Sequence, residues 1–149
     1  AAEGLDAAAI AAKLDAVKDK VRIYARLDTL EYLRKGGRIS STTAVVGTML
    51  NIKPILRVDN NGKLENLAKC RGRKAALNYL LDRMAESFDP EIDDTVFIGH
   101  GDCPEDAAAL EAALRDRGVQ NIVTGYVGPV IGAHTGPGVL VVFFLGSKR

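Results

Sequence analysis

The chain has 149 residues, which fits one domain and is enough to bury a core without disulfides or a metal. Apolar residues at 47% and charged residues at 26% are ordinary globular values, and a net charge of +1 disfavours nucleic acid as a partner of the whole molecule. Cys70 and Cys103 lack the paired spacing of a metal or redox motif, so we expect no cofactor and a reducing, cytoplasmic setting. The longest apolar run, Val139 to Leu145, falls far short of the ~20 residues of a transmembrane span.

The first half of the chain predicts helices, one strand and a hairpin. Ile10, Leu14 and Val17 lie on one face of an alanine-rich helix. An Asn-Gly pair at Asn61 predicts the hairpin turn. The predicted elements are a helix over Ala1 to Ala16, a strand over Val21 to Arg26, a helix from Asp28 or Thr29 to Lys35, a helix over Ala44 to Leu50, and hairpin strands over Lys53 to Val58 and Lys63 to Leu67.

The second half alternates helices and strands. The predicted elements are a helix over Arg73 to Phe88, a strand over Thr95 to Gly99, a helix from Pro104 to Arg117, a strand over Asn121 to Val127 and a last strand over Val139 to Phe144. Alternating strands and helices, together with a hairpin, predict one α/β domain over residues 1–149. Its sheet is expected to be mixed and partly antiparallel, with helices packed on it.

Three glycine-rich segments carry the candidate site residues. Gly132 to Gly138 places His134 in a predicted loop, and cations stand in Lys35 to Ser40 and Lys69 to Lys74. Arg38 and Arg71 are the best candidates for binding a carboxylate or phosphate, because a guanidinium group gives planar, bidentate hydrogen bonds. In the plainer interpretation, Arg38 caps a helix end, Arg71 and Arg73 are solvated, and His134 is a satisfied loop histidine.

Other chemistry has weaker support. His100, Asp102 and Cys103 stand together, but a helix start explains them better than a metal site. Nucleotide-binding, serine-hydrolase and metalloprotease motifs are absent from the sequence. We therefore expect that this chain does not hydrolyse ATP by itself. Two alternatives stay open: an interaction module whose basic face docks an acidic partner without a ligand of its own, and a phosphate-handling enzyme with His134 as general acid or base.

Four motifs together closely resemble the DegV family of bacterial fatty-acid-binding proteins. They are KGGRIS at Lys35 to Ser40, LNIKPIL at Leu50 to Leu56, KCRGRK at Lys69 to Lys74, and IGAHTGPG at Ile131 to Gly138. The resemblance runs from about Val21 to Phe144 and corresponds to the C-terminal lobe of the family. It implies that the N-terminal lobe, which clamps the fatty acid carboxylate, is absent here, and that Ala1 to Lys18 is the end of the connection between the lobes.

The resemblance also implies that the chain is a binding protein rather than an enzyme, and it implies a role for the basic residues. Family members present a long-chain fatty acid to a separate fatty acid kinase, which converts the carboxylate to an acyl phosphate for phospholipid synthesis. The residues expected near the head group or phosphate are Arg38, Arg71 and His134, with Lys69, Arg73 and Thr135 as weaker candidates. The acyl chain is expected in a tunnel that the C-terminal lobe bounds.

Overall fold

The structure, a computed structural model, describes residues 4–40 and 51–147. The helix predicted over Ala44 to Leu50 lies outside the described residues. In chain order the elements are α1 Ala7–Val17, β1 Val21–Arg26, α2 Glu31–Lys35, β2 Ile52–Val58, β3 Leu64–Arg71, α3 Arg73–Ala85, β4 Thr95–Gly101, α4 Pro104–Asp116, β5 Asn121–Tyr126, α5 Pro129–Thr135 and β6 Val139–Leu145. A short 3-10 turn, Lys18–Lys20, connects α1 to β1.

The described strands form one sheet in the order β3-β2-β1-β6-β4-β5. Strands β4 and β5 are parallel, and the other neighbours are antiparallel, which confirms the predicted mixed α/β architecture. Asp59 fastens the β2–β3 turn, because its carboxylate accepts from the backbone N–H groups of Asn61 and Lys63 at 2.8 Å each. The predicted hairpin is therefore confirmed.

The two faces of the sheet have different environments. Helices α3 and α4 cover one face, where side chains such as Leu80, Leu110 and Val142 form the main core. Successive residues of a strand point to opposite faces. Strand β6 is buried along most of its length, as its continuous apolar run suggests. The alternate residues of β1, β4, β5 and β6 face the other side of the sheet, where Phe97 and Val123 are about half exposed.

A smaller core attaches α2 to one end of the sheet. Leu27, Leu30 and Leu33 are buried against Leu56 and Val139. This end contains the last residue of β1 and the first residue of β6. The cluster therefore fixes the position of the segment that carries Arg38. By contrast, α1 buries no side chain among the described residues, and Leu14 on its predicted apolar face is 60% exposed.

The prediction that His134 stands in a loop was wrong. His134 lies in the last turn of helix α5. Pro129 occupies the first helical position, where its fixed φ favours a helix, and Gly136 ends the helix with a φ of 76°. Glycine and proline at these positions delimit a short helix, although in the sequence they have the composition of a loop.

Candidate functional site

An open groove lies on the sheet face that α3 and α4 leave uncovered. Its volume is about 660 Å³, which is in the range of small-molecule sites. Apolar side chains form most of its surface, including Ile23, Phe97, Val141 and Phe143 from the sheet and Ile131 from α5. Arg38, His134 and Thr135 also line it. Three of the residues predicted from sequence therefore meet at one apolar groove.

Close contacts at two glycines bring α2 and α5 together. The His134 imidazole packs against Gly36, where a Cβ atom would lie 2.1 Å from Nδ1. The ring of Tyr32 packs in turn on Gly136, where a Cβ atom would lie 2.3 Å from the ring. A side chain at either glycine would therefore displace the ring that packs on it. Close packing at the ends of α2 and α5 thus explains Gly36 and Gly136.

Arg38 stands just beyond the end of α2. Its backbone N–H donates to the Leu33 carbonyl at 2.8 Å, and its Nη1 donates to the Gly36 carbonyl at 3.1 Å. The predicted capping role is therefore real, and it occurs together with a position on the groove. Thr135 Oγ1 donates to the Ile131 carbonyl at 2.8 Å, inside its own helix. A guanidinium group has five N–H donors, so capping one carbonyl does not exhaust its capacity to bind an anion.

Lys69 and Arg71 lie at the same end of the sheet but do not line the groove. Arg71 is the last residue of β3 and stands opposite Ile52, while Lys69 stands opposite Pro54. Both residues are exposed. The strand register therefore places Lys69 and Arg71 at the end of the sheet near Arg38. Within the described residues, neither has a hydrogen bond or ion pair with Arg38. A head-group role for either residue stays a prediction.

Arg73 belongs to an ion network behind the groove. Its Nη2 donates to Asp28 at 2.7 Å and its Nη1 donates to Asp106 at 3.0 Å. Arg26, fully buried, donates to the same Asp106 oxygen at 2.6 Å and to the Gly138 carbonyl at 2.7 Å. The network connects β1, α3, α4 and the segment after α5. Arg73 does not line the groove, and its predicted head-group role stays a prediction.

The pKa of Asp28 reflects its ion pairs in this network. Burial alone would raise the pKa of Asp28, but hydrogen bonds from Arg73 and Lys53 outweigh it and hold the pKa below its ordinary value. Lys53 Nζ lies 3.1 Å from the carboxylate. At Gly138 a Cβ atom would lie 2.7 Å from the same carboxylate, so only glycine allows this approach. Asp28 therefore fixes the segment that follows His134.

Sequence reasoning missed Arg26 and Asp28. The alternation in β1 places Val21, Ile23 and Ala25 on one apolar side of the strand. Arg26 is on the other side, which the pattern predicts to be exposed to solvent. In the structure that polar side faces the helix-covered core, and Arg26 is 0% exposed. A local signal could not have revealed this burial, because helices distant in sequence produce it.

His100, Asp102 and Cys103 stand at the end of β4, where α4 begins, and His100 contacts the Tyr126 ring at 4.5 Å. Cys103 Sγ donates to the Val139 carbonyl at 3.2 Å, and burial raises the pKa of its thiol. Within residues 4–40 and 51–147, no cluster of His, Cys, Asp and Glu has the arrangement of a metal site. Over the same residues, no helix has the length and apolar character needed to cross a bilayer.

An apolar groove with Arg38 and His134 at one end can bind an amphipathic anion, with its apolar part on the sheet and its charged group between α2 and α5. The fold and the site thus define an α/β domain with a candidate ligand groove on its open sheet face. The DegV family model, described as "Uncharacterised protein, DegV family", matches residues 1–147. The chain belongs to the DegV family, which confirms the resemblance of the four motifs.

Three similar proteins illustrate this relationship. A DegV domain-containing protein of Clostridium perfringens is 44% identical over 133 residues, which are 89% of this chain and 46% of the relative. The crystal structure of a fatty acid binding DegV family protein of Streptococcus agalactiae is 28% identical, with a TM-score of 0.79 over 99% of this chain and 52% of that one.

The third is the Streptococcus pneumoniae Fatty Acid Kinase (Fak) B3 protein loaded with linoleic acid, which matches with a TM-score of 0.84 over 96% of this chain and 50% of that one. Because it is only 19% identical, it supports the fold alone. The chain spans about half the length of the curated relatives it matches.

Proposed function

We propose that this chain is the C-terminal lobe of a two-lobed fatty acid carrier that presents its ligand to a separate fatty acid kinase. The observation that carries the proposal is the groove, whose apolar surface ends at Arg38 and His134. The function is binding, and the chemistry belongs to the kinase.

The apolar surface supplies most of the affinity. Phe97 is 48% exposed, and Val123 and Ile131 are each 53% exposed, all on the groove. Transfer of one methylene from water to such a surface is worth roughly 0.8 kcal/mol. An acyl chain that buries several methylenes there gains more than one head-group hydrogen bond, which contributes about 1 kcal/mol.

The cations act on the head group. A carboxylate accepts two parallel N–H bonds from a guanidinium, and Arg38 stands where it can supply them. In the kinase reaction a carboxylate oxygen attacks the terminal phosphorus of a nucleoside triphosphate, and the bond to the diphosphate leaving group breaks. Because the acyl phosphate has more negative charge than the carboxylate, Arg38 and His134 favour the product. Lys69 and Arg71, at the same sheet edge, are suited to the kinase or to the transferred phosphate.

The comparisons support the ligand class. The Streptococcus agalactiae relative, which is 28% identical to this chain, is named as fatty acid binding. Since this chain matches about half of that protein, the N-terminal lobe that supplies the other side of the tunnel is part of the proposal.

The test is to express the two-lobed protein and identify copurified lipid by mass spectrometry. Phosphorylation by the cognate kinase is then measured for Arg38→Ala, His134→Ala and the control Arg34→Ala. We expect all three variants to retain lipid. Turnover should fall by about tenfold or more in Arg38→Ala and His134→Ala, because each loses one charge-assisted hydrogen bond to the head group. Arg34 is exposed on α2, the helix that precedes Arg38, but does not line the groove.

The control also separates the proposal from the alternatives. An equal loss of turnover in Arg34→Ala, without copurified lipid, would favour the interaction module with a basic docking face. Release of phosphate by this protein without any kinase would favour the phosphate-handling enzyme. Full turnover in both Arg38→Ala and His134→Ala would refute the assigned roles.

A further inference from the structure

The groove is longer across the strands than along them. Along β6 it is lined from Val139 to Phe143, a length of about 13 Å at ~3.3 Å per residue. Across the sheet the lining extends from Leu64 on β3 to Val123 on β5, which is about 24 Å because strands lie ~4.8 Å apart. The whole lining is therefore longer across the strands than along them, and its part from β6 to β5 spans two strand spacings, about 10 Å.

One row of small residues forms a trough in this direction. Backbone pairing places Ala25 beside Val141, Val141 beside Gly99, and Gly99 beside Gly125. The next row, which lies farther from α2 along the strands, consists of larger side chains. They are Ile23, Phe143, Phe97 and Val123, side by side. The bulky row makes one wall of the trough, and Ile131 of α5 lines the groove on the β5 side.

The trough is open at its β5 end. At Gly99 a Cβ atom would lie 2.9 Å from a Val141 methyl and 3.2 Å from a Val127 methyl, so this space is occupied. At Gly125 no atom of residues 4–40 and 51–147 lies within 4 Å of the corresponding position. The floor of the groove is therefore open at Gly125 with respect to these residues.

The exposed apolar surface also lies on this side. Phe97, Val123 and Ile131 are each about half exposed around the glycine pair. At the opposite end Leu64 is 38% exposed, and the neighbouring pocket is lined by polar residues such as Arg57 and Asp59. An apolar chain gains more by covering the β5 side, because the gain is proportional to the apolar area removed from water.

We propose that the acyl chain lies across β6, β4 and β5, and that Gly125 determines how long a chain the groove accepts. This inference rests on the proposed fatty acid function and deepens it. The head group lies between α2 and α5, and the tail runs over Gly99 to Gly125 and ends at the edge strand.

The test is the variant Gly125→Leu in the two-lobed protein, with dissociation constants measured by calorimetry for octanoate, laurate and palmitate. The added side chain fills the end of the trough, so we expect palmitate to bind about tenfold more weakly, the loss of about two buried methylenes. Octanoate binding should change by less than about twofold.

Two matched variants complete the test. Thr124→Leu places the same side chain on the opposite face of β5, where Thr124 donates to Glu111, and should leave the dependence of affinity on chain length unchanged. Leu64→Trp narrows the other end of the groove and should also leave it unchanged. Gly125→Val, a residue favoured in strands, repeats the experiment with a smaller side chain if the leucine variant unfolds at a lower temperature.

The outcomes separate this inference from the proposed function. If wild-type protein binds palmitate but Gly125→Leu has the same chain-length dependence, Gly125 is not on the tail path and the inference is wrong. A shift produced by Leu64→Trp instead would place the tail toward β3 and also overturn it. Absence of fatty acid binding by wild-type protein would refute the proposed function itself.

Discussion

The variant Gly36→Ala tests whether the position of His134 depends on one missing methyl group. A Cβ atom at residue 36 would lie 2.1 Å from His134 Nδ1 and 2.8 Å from Cε1. Ordinary contact begins at 3.4 Å, so the imidazole has to move by about 1.3 Å. Gly36 has a φ of −79° and a ψ of 0°, which alanine adopts without strain.

The effects on stability and on binding should therefore have different sizes. Alanine at a compatible position stabilises a protein by about 0.4–1 kcal/mol, and the imidazole can rotate away from the new methyl group. A displacement of 1.3 Å removes a hydrogen bond from His134 to a ligand, because such bonds weaken steeply beyond about 3.2 Å. A lost bond to a charged group costs about 1.5–3 kcal/mol, or about tenfold to a hundredfold in affinity.

The assay combines thermal unfolding, fatty acid or acyl phosphate affinity, and NMR of the imidazole groups. The chain has two histidines, so a carbon–proton spectrum of the ring Cε1 groups has two signals. We expect the His134 signal to move in Gly36→Ala, the His100 signal to stay, and the unfolding free energy to change by less than about 1 kcal/mol.

Gly37→Ala is the matched control. Gly37 has a φ of 68°, and a Cβ atom there meets nothing within 4 Å. Alanine at this position should cost about 1 kcal/mol of stability through backbone strain and leave ligand affinity unchanged. Unchanged affinity and an unshifted His134 signal in Gly36→Ala would refute the packing argument.

Two further predictions concern the ion network. Asp106→Ala leaves the buried Arg26 without its carboxylate partner and should lower the free energy of unfolding, measured in urea, by about 3–5 kcal/mol. The control Glu105→Ala, at the neighbouring exposed residue, should leave the free energy of unfolding nearly unchanged. A loss below about 1 kcal/mol in Asp106→Ala would contradict the prediction. Because the folded pKa of Asp28 is lowered, its contribution is present above about pH 4, the ordinary value, and is lost as pH falls through the folded pKa. Wild type should therefore lose more stability than Asp28→Asn on acidification below about pH 4, and parallel unfolding curves would exclude the effect.

Part of the candidate site could be predicted from the glycine-rich segments and basic residues of the sequence. Arg38 and His134 meet at one groove, as the motifs predict, because glycines at residues 36 and 136 allow their elements to touch. Arg71 lies on the edge strand β3 and does not line the groove, and its head-group role stays a prediction. The order of the motifs along the chain does not give the order of the strands in the sheet. The helix around His134 was missed because Pro129 and Gly136 are typical both of loops and of helix ends.

The sequence by itself determined the strands, the hairpin and the helices α3 and α4, whose first residues were predicted correctly. Apolar periodicity and turn chemistry act between residues that are close in the chain, and Asp59 with Gly62 specifies its turn without outside help. Only the tertiary structure decided the order of the strands, which face of the sheet stayed open and which charges were buried. Arg26 illustrates the reason. Its own strand has an ordinary alternating pattern, but α3 and α4, which come from distant parts of the chain, cover it and exclude solvent. Asp106 of α4 is then its ion-pair partner.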